Sequence, residues 1–430
     1  MHRRNSNSMA TIAWLMCGLG AVFYSYEYFL RISPSVMESA LRQHFNLSAT
    51  GFGFLSSFYY YAYVPMQIPV GIMMDRYGPR LLLTLACVAC VVGTFIFGIT
   101  HYFWVAAIGR FLVGFGSAFA FVGVLKLATI WLPENKLAMV SGLAAALGAV
   151  GAMIGDNILG ELVINIGWQE TVQLSGVAGI VLTFILWFGI RDKKKIDQEE
   201  VMVDTFRQSM RDLLIIAKNS QIWINGLYGC LVYLPTTVLA ELWGIPYLTH
   251  AQNMSQKSAG FANSLIFLGF IIGAPLMGFI SDKLRRRKLP MMVGALGAAL
   301  IMIIILYVPG LNESNLRVLL FLLGIFYSVQ AIVFAVGREL SPKEAAGTAM
   351  AMTNMIVMLG ASFLQPVIGN ILDWSVKSRN VGVTVDSLSS DQLIKFYTTV
   401  DYQLALMVIP LGILIAAVLT FFLKETYAEA

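Results

Sequence analysis

GIMMDRYGPR, residues 71–80, and GFISDKLRRR, residues 278–287, are two versions of one ten-residue phrase. Each follows a long apolar run and opens onto another. Asp75 and Asp282 stand 207 residues apart, as do Arg110 and Arg317, while Pro133 and Pro342 stand 209 apart. Three landmarks at nearly one spacing predict a duplicated unit. The apolar runs around the phrase set what that unit is made of.

Of the 430 residues, 58% are hydrophobic and only 12% charged. A soluble domain carries roughly a quarter charged residues. A spanning helix needs about 20 apolar residues. Runs of that length recur at 10–33, 50–74, 80–99, 102–131, 137–164, 168–190, 221–249, 258–281, 289–309, 315–338, 345–373 and 399–423. They are far too long, and alternate too little, for barrel strands. The predicted fold is therefore all-α: a polytopic membrane protein of twelve transmembrane helices in two pseudo-symmetric six-helix bundles. The expected division is 1–190 for the first bundle, 191–220 for a cytoplasmic linker and 221–430 for the second bundle. Within the linker, VDTFRQSMRDLLIIAK (203–218) is amphipathic and predicts a helix along the membrane surface, or else a solvated hinge.

With the N-terminus placed in the cytoplasm, twenty of the 29 Lys and Arg residues fall in cytoplasmic segments. The positive-inside rule then puts both termini inside. The basic residues sit in loops and form no basic face, so nucleic acid is not an expected partner. Arg3 and Arg4 precede an apolar stretch too long for a signal h-region, which reads as a retained first span. Cys87 and Cys90 form a CxxC with no second pair and no nearby His, so no metal site is expected. There is no Gly-Lys dipeptide for a Walker A loop, no HExxH and no GxSxG, which argues against ATP-driven transport by this chain and against a membrane protease or lipase. No catalytic residues and no cofactor are expected.

A charge inside a span costs at least about 2.5–3.5 kcal/mol at the helix centre, so each one needs a reason. In the first span Glu27 and Arg31 are four apart and share a face, with Tyr24 on it as well. The pair either lets a polar helix insert or receives a zwitterion, Arg31 facing a carboxylate and Glu27 an amine. In the seventh span Tyr233, Thr237 and Glu241 share one face. The first and seventh spans are equivalent in the two halves, so a carboxylate in each points to a substrate contact and a proton carrier. Lys126 lies near the inner end of the fourth span, where it can bind an anion or snorkel. Tyr59 and Tyr63 of the second span can line a chamber, whereas Tyr60 and Tyr61 are expected to pack. Tyr327, Gln330 and Asn354 are uncharged polar candidates in spans ten and eleven.

The phrase at 71–80 resembles the 2–3 loop signature of the major facilitator superfamily: Gly71, Asp75, Arg76, Gly78 and Arg80 match it, with Pro79 where a basic residue is usual. The second copy keeps Gly278, Asp282 and Lys283 but has Arg285 in place of the second glycine. Arg110-x-x-x-Gly114-x-Gly116 is similar to the family's fourth-span pattern, and the fifth span lacks the Gly-Pro pair of its antiporters. YEYFLRISPSVM (26–37) resembles a bacterial branch tied to amino-acid and nutrient uptake by intracellular pathogens.

The resemblance implies a multi-pass, monomeric protein of a bacterial inner membrane. Its partners would be the lipid bilayer, a small-molecule substrate and protons, and the proton gradient would be its energy source. The expected activity is alternating-access symport of an amino acid or similar zwitterion; an exporter of a siderophore, drug or other metabolite and a non-transporting receptor are the alternatives. The resemblance also implies a cytoplasmic gate, with Gly71, Asp75, Arg76, Gly78, Arg80, Asp282 and Arg110 as its motif residues, in which Asp75 faces the start of the eleventh span. There Ser341-Pro342-Lys343-Glu344 reads as a capping box with partial positive charge.

Overall fold

The computed structural model describes residues 2–133, 136–192, 211–342, 345–379 and 390–426. Its twelve long helices are His2–Val36, Ala49–Tyr77, Pro79–Ile99, Phe103–Trp131, Met139–Ile166, Trp168–Gly189, Ser220–Ala251, Gln256–Leu284, Lys288–Tyr307, Glu313–Glu339, Ala346–Arg379 and Thr399–Phe422. In hydrocarbon every backbone N–H and C=O must be satisfied within the protein, which is why each apolar run closes into a helix. Ten of the twelve are long and apolar enough to cross a membrane by length and composition. The other two, His2–Val36 and Ala49–Tyr77, are the polar ones: the first carries Glu27 and Arg31, the second Tyr59, Tyr60, Tyr61 and Tyr63. Inner and outer below denote the faces assigned by the Lys and Arg asymmetry.

The duplication seen in the sequence recurs in the caps. Ser48 caps the second span by accepting from Gly51 N, and Ser255, 207 residues on, caps the eighth by accepting from Ser258 N. Two short helices, Glu38–Phe45 and Ser390–Phe396, lie on the outer face. Of the expected linker helix, residues 193–210 lie outside the described residues. Residues 211–217 are helical, and Ile216 is buried against Ile222, Ala345, Ala349, Met352 and Ile356, all of the second bundle.

Glycines report how the halves meet. At Gly53, in the second span, a Cβ would stand 2.5 Å from Gln365 O of the eleventh. At Gly260, in the eighth span, it would stand 2.4 Å from Asp156 O of the fifth. Gly53 and Gly260 are 207 apart and Asp156 and Gln365 are 209 apart, the two spacings of the repeat. These are outer contacts. Toward the inner face, Gly71, Gly142, Gly278 and Gly347 of the same four spans would meet nothing within 4 Å. The bundles are closed together outside and parted inside.

Candidate functional site

Between the bundles lies a buried polar group. Arg31 Nη2 donates to Glu27 Oε1 at 2.8 Å, one helical turn back. Arg31 Nε donates to Tyr59 OH at 2.9 Å, and Tyr59 OH donates to Glu27 Oε2 at 2.8 Å, closing a triangle between the first and second spans. Glu241 of the seventh span faces it across the interface, with Oε1 at 3.6 Å from Arg31 Nη1. Tyr60 OH donates to Glu241 Oε2. The guanidinium of Arg31 lies 4.1 Å from the ring centre of Tyr28 and 4.9 Å from that of Tyr63, within cation–π range. Tyr28 and Tyr233 share a hydroxyl contact of 3.2 Å, again between halves.

Two atoms in this group are uncommitted: Arg31 Nη1 and Glu241 Oε1 are buried and make no hydrogen bond among the described residues. A donor and an acceptor therefore sit side by side at the interface, each with capacity to spare.

Arg110 stands just outside the group and acts on its backbone. Nη1 donates to Leu30 O at 2.9 Å and Nη2 to Arg31 O at 3.1 Å. Pro34 explains why a carbonyl is available there: it has no N–H to give Leu30 O, four residues earlier. Arg110 was grouped with the cytoplasmic gate on sequence. Its place is instead beside the first span, because the proline leaves an acceptor there that a buried cation can fill. With Glu27 and Glu241 ionised, Arg31 and Arg110 bring the buried group to zero net charge. Gly114, four residues on from Arg110, lets the fourth span lie on the second: a Cβ there would stand 1.9 Å from Tyr59 O.

The other sequence candidates divide. Tyr24 packs against Tyr28 and Phe121 on the edge of the group. Tyr327 OH accepts from Thr236 Oγ1 at 2.7 Å. Thr237 turns its hydroxyl onto Tyr233 O of its own helix at 3.3 Å. Gln330 is buried in the 3-10 turn Ser328–Ala331. Asn354 Nδ2 donates to Gln67 Oε1 at 2.8 Å, tying the eleventh span to the second. Lys126 is not in the central group: it forms an ion pair with Asp75 at 2.5 Å, half-exposed at the inner end. Its long stem reaches the membrane edge, where an ammonium is hydrated, and the 2–3 loop carboxylate is its neighbour there. Tyr60, expected only to pack, is a direct partner of Glu241.

At the inner face the motif loop is fastened to its own bundle. Gly78 has φ +80°, with the Asp192 carboxylate 3.3 Å from its Cβ position. Arg80 N donates to Asp192 Oδ1 at 3.3 Å, and the Arg80 guanidinium lies 4.4 Å from the Trp187 ring centre. Arg76 covers the Tyr77 ring. In the second copy Asp282 pairs with Arg287 at 2.7 Å, and Arg287 also pairs with Glu339 at 2.7 Å. The capping box expected at 341–344 is corrected in part. Ser341 Oγ donates to Arg338 O at 2.9 Å instead of capping the next helix, whose described part begins at Ala346. Lys343 and Glu344 lie outside the described residues.

The outer face carries a clamp that the sequence reading did not single out. Glu38 pairs with Arg42 at 2.8 Å, one turn apart like Glu27 and Arg31, and that spacing was the legible signal. Arg42 Nη2 donates to Tyr397 OH at 3.0 Å, and His250 Nε2 lies 3.1 Å from Glu38 Oε2, both across the halves. Tyr397 OH donates to Asp373 Oδ1 at 2.6 Å. Asp373 in turn accepts from the backbone N–H of Ala49 and Thr50, the N-terminus of the second span, at 3.1 and 2.9 Å. Burial pushes the Glu38 carboxyl up, but Arg42 and His250 pull it down further, to about 2. Its contribution is thus present above the ordinary carboxylate range and is lost only as pH falls toward 2.

Two six-helix bundles that meet around a buried charged group, closed on one face and parted on the other, define a carrier of the alternating-access kind. The family model described as Major Facilitator Superfamily matches residues 15–365 and 237–429, and the chain belongs to that family. Members of this family are membrane transporters, not enzymes. The chain is 24% identical over 371 residues to the membrane sensor protein UhpC of Salmonella typhimurium, covering 81% of each. It is 25% identical over 396 residues to the probable galactarate/D-glucarate transporter GudP of Bacillus subtilis, covering 84% of this chain and 86% of the relative. Over 289 residues it is 23% identical to the probable sulfoacetate transporter SauU of Cupriavidus necator, 64% and 66% of the two chains. Among solved structures, a bacterial homolog of the human lysosomal transporter Spinster, inward-facing and unoccupied, aligns with TM-score 0.78 at 17% identity over 96% of each chain.

Proposed function

We propose that this secondary transporter carries a small zwitterion such as an amino acid into a bacterial cytoplasm as a monomer, with its parted face inside and a proton as the coupling ion. The observation that carries this reading is the uncommitted pair at the interface, Arg31 Nη1 beside Glu241 Oε1. A carboxylate on Arg31 and an ammonium on Glu241 satisfy both without changing the net charge of the buried group. The two groups belong to opposite bundles, so a bound zwitterion bridges the halves. Glu241 or Glu27, on moving between an aqueous and a buried setting, supplies the proton site.

A second reading has support from the names of two relatives, which are probable transporters of galactarate/D-glucarate and of sulfoacetate. An organic anion would also sit on Arg31, but its charge would have to be offset by protonating Glu241. Counterflow in proteoliposomes separates the two. Exchange of labelled amino acids that competes with other zwitterions supports the first reading; exchange of aldarates or sulfoacetate alone moves the assignment to the second. Glu27→Gln is expected to abolish accumulation driven by an acid exterior. Wild-type accumulation in that variant, or absence of any exchange, defeats the proposal.

A further inference from the structure

Resting on the alternating-access reading, we infer that Asp156 is a second proton-binding site, which carries a proton while the outer face is closed and gives it up to the exterior when the fifth and eighth spans part. Asp156 is buried in the fifth span, at a segment of π-helix, Gly155–Leu159. Such segments are rare and recur at functional sites. Oδ2 accepts from Asn263 Nδ2 of the eighth span at 2.7 Å, and Oδ1 is buried and accepts nothing. Asn263 Nδ2 is shared with Ala240 O at 2.9 Å, inside a second π-helical segment, Pro235–Trp243 of the seventh span. Asn263 Oδ1 is buried and unfilled as well.

An ionised carboxylate wants several donors and a neighbouring cation, and this one has a single N–H, the other hydrogen of the same amide going to Ala240 O. A proton supplies a donor that the Asp156–Asn263 pair otherwise lacks. The ionisable groups on the elements packed around it are already engaged. Glu27 and Arg31 of the first span pair with each other, and Glu241 of the seventh accepts from Tyr60 and has the Arg31 charge 3.6 Å away. His250 contacts Glu38, and Lys257 of the eighth span pairs with Glu161 further along the fifth. Glu27, Arg31, Glu38 and Arg42 each have an oppositely charged partner, and Asp373, which has none, accepts from two backbone amides and two hydroxyls. Asp156 has neither a paired cation nor such a set of donors among the described residues. Its contact partner lies on the other bundle, so opening the outer face removes Asn263 and admits water together. Closure therefore takes up one proton, and outside acid favours the closed face, by at most about tenfold in the equilibrium per pH unit.

Ile164→Cys and Val308→Cys, in the outer ends of the two bundles, give spin-label sites in lipid nanodiscs; the four native cysteines are buried. The distance between the labels, read without substrate from pH 5 to 8, requires no transport and so does not depend on the substrate being right. The expected result is a short-distance population that grows as pH falls. Asp156→Asn, which mimics the neutral acid, should hold the short distance at every pH. Asn263→Asp, which adds a second acid, should need lower pH to close. A wild-type distance distribution independent of pH, or an Asp156→Asn variant with the wild-type pH dependence, overturns the inference. Glu38 does not titrate in this window.

Discussion

Tyr59 shows what a single residue contributes at the interface. Its hydroxyl accepts from Arg31 and donates to Glu27, so it fixes both ions of the pair. Tyr59→Phe leaves Arg31 Nε without its acceptor and frees Glu27 Oε2. A hydrogen bond to a charged group is worth about 1.5–3 kcal/mol, so substrate affinity should fall on the order of tenfold or more. Counterflow at graded substrate concentration reads this as a raised half-saturation with protein yield unchanged. Arg31→Ala is the harsher change: it leaves two facing carboxylates, and breaking a buried pair costs roughly 3–5 kcal/mol, so both binding and thermal stability should drop. The Glu27–Arg31 pair was legible because i,i+4 spacing in one helix is a local fact. Tyr60 was not, because its partner is 181 residues away on another bundle. The same holds for Arg110, whose partners are backbone carbonyls that carry no residue signature.

Most helix limits were readable to within about three residues, since hydrocarbon thickness fixes the length of an apolar run; His2–Val36 and Ala346–Arg379 overrun their apolar runs, 10–33 and 345–373, because their ends extend as helix beyond the apolar stretch. The breaks within helices were not readable. The π-helical segments at Gly155–Leu159 and Pro235–Trp243 follow from packing between bundles, which no window of one helix contains. The paired glycines allow a test at this scale. Gly53 and Gly260 are the points where the second span meets the eleventh and the eighth meets the fifth. A leucine at either position puts side-chain atoms where Gln365 O or Asp156 O now stands. Gly53→Leu and Gly260→Leu should each hold the outer face open. Labelling of an engineered outer-chamber cysteine by a membrane-impermeant maleimide should rise in both variants, and turnover should fall while the protein stays folded. Gly71→Leu, at a position that faces open space only while the inner face is parted, should not raise labelling.

Across the whole molecule, the same device recurs at opposite faces. A gate built from an aspartate at the end of one span and the N-terminus of a facing span was expected on the inner side, from Asp75 toward the eleventh span. The outer side has that arrangement with the roles of the halves exchanged: Asp373, at the end of the eleventh span, receives the N-terminal amides of the second. A helix N-terminus attracts an anion by up to about 1 kcal/mol when exposed and more when partly buried. An equilibrium between two faces of a carrier is shifted several-fold by such an amount. Asp373→Asn keeps the shape and removes the charge, so it should raise the outward-open population. Asp75 in this inner-open arrangement pairs with Lys126 within its own bundle. If the inner gate uses the same carboxylate once that face closes, Asp75→Asn should lower the outward-open population, opposite in sign to Asp373→Asn. The label pair at positions 164 and 308 reads both. Shifts of the same sign would mean that only the outer aspartate works as a gate and that the symmetry of the fold does not extend to its locks.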